Sequence, residues 1–450
     1  MKQNNKTTHN SVTAFTLLIL CLPVFATSDP TSLPLLQIEQ LEYQGAFIIP
    51  SGDYGESRAD DVTGQMEYNP ANHSLFYTGN YTQGALAEFS IPALVNSTDV
   101  TALNTSTVLQ NFKRILNQTA DANPQGLDRI TGMMLYAGKL IVNAVEFYDA
   151  DTNNTHTTLV IENANDIANS AISGYYELQG AAHIAGWMNP IPAQWQELLG
   201  GTYLSGSAPN YAINARYSQG PTAFVFDPAT LTGTPSGVIA TTTLLDSSLA
   251  NPLYADYIGY QNALYNVLST NGNAAVTGHT AADIGAVAGG NNLWTERSNV
   301  GYGFIVPNSR TYLTIGQSGG HLSGIGYKAR PYGAPEGYVC AGPCAYEFDD
   351  YYNYYWLWDV NDLIAVRNGS MQPYDVRPYD YGVFNAPFQE NIFAGTPRHN
   401  PINGGVYDPV SGLLYLTISG GESTGLYGVM PLIVAYKVNN SDLIFTNGFE

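Results

Sequence analysis

Past residue 40 the chain shows little helical periodicity. Short runs that alternate apolar and polar residues are separated by Asn-Pro, Asp-Pro, Asn-Gly and Gly-Gly pairs, the pattern of strands joined by tight turns. One hairpin recurs. Residues 68–78 (Tyr-Asn-Pro-Ala-Asn-His-Ser-Leu-Phe-Tyr-Thr) align without gaps to residues 407–417 (Tyr-Asp-Pro-Val-Ser-Gly-Leu-Leu-Tyr-Leu-Thr). Residues 305–314 match with one residue fewer in the turn, and residues 133–142 with a shorter turn still. In each, Pro or Gly sits where a missing N–H or a positive φ costs little.

An alternating strand follows each hairpin, at 85–94, 157–167, 222–231, 354–363 and 431–438, and another precedes most of them, at 41–49, 107–112, 241–245 and 374–383. Four strands per unit, repeated along the chain, predict an all-β fold, a β-propeller of four-stranded antiparallel blades. Five units are expected, over residues 40–98, 105–170, 172–232, 240–367 and 371–438. The third is divergent. The fourth is swollen by insertions at 246–290, with a short helix expected at 256–268, and at 317–350. Six or seven blades follow if the first insertion holds a blade, and a β-sandwich or a pair of β domains is the competing architecture.

The first residues read differently. Lys2 and Lys6 precede an apolar run over 14–25 and small residues at 26–28, the layout of an export signal cut after Ala26. That run is too short to span a bilayer, so no stable membrane anchor is expected. The domain plan is therefore a signal peptide over 1–26, a linker over 27–39, one propeller over 40–438 and a tail over 439–450. Cys340 and Cys344, in Cys-Ala-Gly-Pro-Cys, read as a small disulfide loop of an exported protein.

Composition narrows the function. The 16 Lys and Arg against 37 Asp and Glu leave a net charge of −21, so phosphate neutralisation is out of reach and nucleic acid is excluded as a partner. The chain resembles the β-propeller superfamily through its Tyr-Asn/Asp-Pro turns and Leu-Tyr-x-Thr strands, and is most similar to exported bacterial propeller proteins. Its ending, Ile-Phe-Thr-Asn-Gly-Phe-Glu, is similar to the Gly-Phe-Glu tails of exported bacterial proteins.

Residues just before the innermost strand of each blade converge on the central channel, as the propeller resemblance implies. Here they are Arg58, Asp60 and Asp61 before Gly64; Asp128 and Arg129 before Gly132; His183 before Gly186; Glu296 and Arg297 before Gly301; and Arg398 and His399 before Gly404. Charged residues make up only 12% of the chain, yet they recur at this one position. A charge-paired rim that binds nothing is one reading of the pattern, and a ligand funnel is the other. For the funnel, Arg129, His183, Arg297, Arg398 and His399 are the binding candidates, suited to an acidic sugar or another carboxylate. Asp61, Asp128 and Glu296 are the candidate catalytic carboxylates of a glycoside hydrolase or lyase. The first expectation is a secreted or periplasmic binding or structural protein whose partner is carbohydrate or another extracellular protein. The alternative is a polysaccharide-active enzyme.

Smaller signals weigh less. Residues 316–320 spell Gly-Gln-Ser-Gly-Gly, but a nucleophile elbow needs a following helix, and the repeat-equivalent Ser419 marks an ordinary hairpin exit. Asp149, Asp151 and Asn153 alternate as calcium ligands do, whereas Asn154 and Val160 stand where an EF-hand needs Gly and Glu. Calcium is thus the one candidate cofactor. Around residues 351–358, Tyr352, Tyr354, Trp356 and Trp358 share one strand face and Tyr351, Tyr355 and Leu357 the other. One face must pack between blades, while the other, if exposed, offers rings for a sugar or a protein.

Overall fold

The computed structural model describes residues 1–2, 29–116, 123–149, 153–207, 218–254, 292–327, 330–335, 338–393, 396–423 and 429–439. The signal segment from residue 3, the helix expected at 256–268, Asp151 and the tail from residue 440 lie outside the described residues.

Five antiparallel sheets stand in a ring, and the chain is a five-bladed β-propeller. Blade 1 comprises Met66–Asn69, Ser74–Thr78, Ala85–Ser90 and Val108–Arg114, and blade 2 comprises Arg129–Tyr136, Lys139–Val145, Thr158–Ile161 and Ile172–Leu178. Blade 3 is built from Met188–Pro190, Tyr203–Ser205, Ala223–Phe226 and Thr242–Leu245, and blade 4 from Asn299–Ile305, Thr311–Gly319, Tyr351–Asp359 and Asp380–Val383. Blade 5 takes Ile402–Asp408, Leu413–Ser423 and Val429–Val438 from the end of the chain, and its fourth strand, Leu41–Ile48, from the beginning. Closure at five removes the six- and seven-blade counts and the sandwich.

Strand positions agree with the sequence pattern, but the blade phase differs by one strand. The strands expected ahead of each hairpin are the outermost strands of the preceding blade: Leu86 pairs with Lys113, Ala223 with Leu245 and Tyr354 with Val383. A meander joins each strand to the one just made, which alternation alone does not reveal. The strand at 41–48 has no predecessor, so it pairs with the last, from Leu41 opposite Val438 to Ile48 opposite Leu432.

Near the channel the blades meet backbone to backbone. A Cβ on Gly132 would lie 1.9 Å from the Gly186 carbonyl oxygen, and one on Gly404 would lie 1.9 Å from that of Gly64. On Gly301 it would come within 2.6 Å of the Asn403 carbonyl carbon. Pairing also slips by one residue at this level, between Ile130 and Gly132, Val300 and Tyr302, and Ile402 and Gly404. Such bulges bend the innermost strands where they converge.

Side chains then tie each blade to the next. Glu67 accepts from Leu135 N (3.1 Å), Thr131 Oγ1 donates to Ala185 O (2.6 Å), and Asn189 Nδ2 donates to Gly303 O (2.6 Å). The Tyr302 hydroxyl accepts from Tyr407 N (2.9 Å), and Gln65 Nε2 donates to Asn403 O (2.6 Å). All five interfaces are bridged.

Between the sheets the core is aromatic and aliphatic, with Trp187, Trp195, Tyr312, Trp356 and Trp358 among its largest buried side chains. The strand Tyr351–Asp359, third in blade 4, is paired along both edges, and side chains on both of its faces are buried. Tyr354 and Trp356 on one face, and Tyr355 and Leu357 on the other, are buried and closed to stacking, while Tyr351 and Tyr352 at the strand's start are half-buried. The second insertion carries a two-stranded ribbon, Ile325–Tyr327 with Pro343–Ala345, and Cys340 and Cys344 form a disulfide within it. Among the described residues no helix is long and apolar enough to cross a membrane.

The glycine contacts yield a stability prediction. Gly132→Ala should cost at least about 3 kcal/mol in urea denaturation, since the obstacle is backbone and has nowhere to move. Gly342→Ala, with nothing within 4 Å of the added carbon, should stay within about 0.5 kcal/mol. Equal costs for the two would remove the role assigned to the glycine contacts.

Candidate functional site

The residues ahead of the innermost strands do not form one uniform ring. Arg58 pairs with Asp60 at 2.6 Å, Arg129 with Asp128 at 3.1 Å, and His183 Nδ1 lies 2.7 Å from Asp246 Oδ1. Blades 1, 2 and 5 go further and enclose a cleft.

Backbone pairing shapes its wall. Asn80 N donates to Arg58 O (2.9 Å) and Tyr81 N to Asp61 O (2.9 Å), with Asp61 in the left-handed region at φ 47°. These bonds lay Tyr81 across the mouth. From blade 2, Arg129 Nη1 donates to Tyr81 O and to Asp128 O, each at 3.1 Å. Its guanidinium carbon lies 4.8 Å from the Tyr81 ring centroid and 4.9 Å from that of Phe147. Stacking on two rings fixes the plane of the cation and keeps its charge. Asp128 is positioned in turn, its Oδ1 accepting from Phe147 N (2.8 Å).

Arg129, Tyr81, Phe147 and Asn403 line a cleft of about 380 Å³. An adjoining lobe of about 200 Å³ shares Val62, Tyr81 and Asn403 with it and adds Asp61, Arg398, His399 and Ser419. Arg398 and His399 arrive on a hairpin, Glu390–Phe393 with Thr396–His399, inserted ahead of the innermost strand of blade 5. Burial, opposed by a backbone hydrogen bond at Gln389, lowers the His399 imidazole to about 4, so it is neutral at physiological pH. Its Nε2 is buried without a hydrogen-bond partner.

The structure thus gathers Asp61, Arg129, Arg398 and His399 around one cleft, with Asp128 behind Arg129. His183, Glu296 and Arg297 lie outside the lining of both lobes. His183 belongs to blade 3 with Asp246, and Arg297 sits over the Tyr351 ring at 5.6 Å on blade 4. Asp149 is fully buried and accepts from Asn153 N (2.9 Å) and Asn154 N (3.3 Å), the geometry of a turn held by its own amides. Among the described residues no group of three or more His, Cys, Asp or Glu side chains gathers around a point that could hold a metal ion. Ser318 lies in the strand Thr311–Gly319 with its Oγ 2.7 Å from Ser298 Oγ, and a turn rather than a helix follows.

Sequence reasoning missed Tyr81 and Phe147, which come from loops after the second strands of blades 1 and 2 rather than from the positions before the first. An aromatic residue just past each second strand was the available signal. It also missed Glu67. This residue reaches from the innermost strand of blade 1 to accept from Leu135 N of blade 2. Burial, partly offset by the Leu135 amide, pushes its carboxyl up to about 8.

No protein-family model matches the chain, and no curated protein matches its sequence.

Glu67 gives the stability a pH dependence of known sign. The native chain keeps the proton up to about pH 8, whereas the unfolded chain releases it near 4.3. Between those values the native state holds more protons, so this contribution is full below the window and is lost as pH rises through it. Glu67→Gln should flatten the slope, at most about 1.4 kcal/mol per pH unit. Urea midpoints from pH 5 to 8 check this, and an unchanged slope in the variant would assign the dependence to another group.

Proposed function

We propose that the chain is an exported binding protein of the cell exterior that seats a carbohydrate in the cleft at the channel mouth. The observation that carries this reading is Arg129 stacked between Tyr81 and Phe147 over a concave space of about 380 Å³. Aromatic edges beside fixed polar donors suit a sugar, which presents apolar C–H faces and hydroxyls together. The export-type N-terminus and the disulfide are both in keeping with an exterior location. Glycoside hydrolysis requires two carboxyl groups about 5–9.5 Å apart across one bond. Of the three candidate carboxylates, Asp61 alone lines either lobe, so binding is favoured over hydrolysis.

A glycan array probed with the full exported chain tests the proposal. The expected result is retention on at least one glycan class, with Tyr81→Ala weakening that binding about tenfold, roughly 1.4 kcal/mol. Tyr81 is 42% exposed, so its removal should leave the fold intact by circular dichroism. Absence of binding to every glycan, or full affinity in the variant, would overturn the proposal.

A further inference from the structure

Resting on that reading, we infer that the ligand is an acidic sugar whose carboxylate is gripped side-on by Arg129. The guanidinium offers five N–H groups in a fixed plane, and its Nη1 is already engaged by the carbonyls of Tyr81 and Asp128 and by Asp128 Oδ2. Among the described residues, its Nε and Nη2 make no hydrogen bond. Those two nitrogens form one edge of the plane, a fork that matches the two oxygens of a carboxylate. The rings of Tyr81 and Phe147 hold that edge in place before any ligand arrives, so little side-chain freedom is lost on binding.

The surroundings select among anions. Asp128 beside Arg129 opposes a second negative charge at the fork, while the adjoining lobe holds one acid and one cation, Asp61 and Arg398. A singly charged planar carboxylate therefore suits the fork better than a sulfate or phosphate dianion would. The remaining unengaged polar atoms suit hydroxyls. Thr63 Oγ1 is buried without a partner on the wall of the cleft, and the neutral His399 offers Nε2 in the adjoining lobe. One carboxylate flanked by hydroxyls is the arrangement of a uronic acid residue.

Calorimetry with the full chain tests this, using oligogalacturonate and oligoglucuronate, the same oligosaccharides with their carboxyls reduced to alcohols, and sodium acetate or sulfate as competitors. The acidic forms should bind at least tenfold more tightly than the reduced forms, and acetate should compete where sulfate does not. Arg129→Lys, which keeps the charge but loses the fork, should lower affinity for the acidic forms at least tenfold and for the reduced forms by a smaller factor. Equal binding of acidic and reduced forms to the unaltered protein would overturn the inference while leaving carbohydrate binding standing, and needs no variant to fold. Competition by sulfate in place of acetate would overturn it as well. If no glycan of any kind binds, the inference falls together with the proposal beneath it.

Discussion

This propeller depends on letting innermost strands approach until backbone meets backbone, as it does at three of the five blade interfaces. At Gly132, Gly301 and Gly404 no side chain fits between neighbouring blades, because the opposing atoms are carbonyl groups. Peptide groups brought so close must find hydrogen bonds locally or lose those they made to water. The bridging set of Gln65, Glu67, Thr131, Asn189 and Tyr302 meets that need, with each residue or its partner backbone reaching across an interface. Without the glycines the ring would have to widen, and these bonds would lengthen together.

That narrow waist also explains why the chemistry lies above it. Once past the glycines the chain turns outward, and the residues there face neither a core nor a neighbouring strand. Charged groups gather at this level in a chain that is only 12% charged, while others pair on the blades, as Lys139 does with Glu162 and Arg310 with Asp359. The few cations are held by acids of their own or adjacent loops, as Arg129 is by Asp128 and Arg58 by Asp60. In a protein with net charge −21, such local pairing keeps the guanidinium in a defined direction while the bulk of the surface repels anions at long range. Association with an acidic ligand should therefore be slow and specific rather than steered.

Much of this was legible in the sequence, for a physical reason. Turn residues and strand alternation are local properties, so hairpins such as 68–78 and 407–417 declared themselves, and counting them led to five blades. The grouping of Arg129, Arg398 and His399 followed from their place a few residues ahead of an innermost-strand glycine. What alternation does not encode is which neighbour a strand joins, and this is why the blade phase was displaced by one strand. Burial of Tyr354 and Trp356 on one face, with Tyr355 and Leu357 on the other, was likewise hidden, since a blade in a closed ring has another blade against each of its two faces. The loops that bring Tyr81 and Phe147 together are far apart in the chain, and their meeting depends on the ring itself. Glu67 gave no signal, because a lone acid on a strand reads as solvent-facing unless the neighbouring blade is known.

Closure by the first strand carries its own consequence. Leu41 pairs with Val438, so the seam of the ring joins the two ends of the described fold, and no earlier contact can stand in for it. Blades 1 to 4 are complete in themselves, whereas the fifth exists only after the whole chain is available. Pairs this distant in sequence form late, because the entropy of closing so long a loop must be met before the contact contributes. A partly synthesised chain is therefore an open arc with an unpaired edge at each end, and only the finished chain is a ring without one. The seam is also where tension applied to the termini would act first, unzipping a single strand pair before any blade is lost.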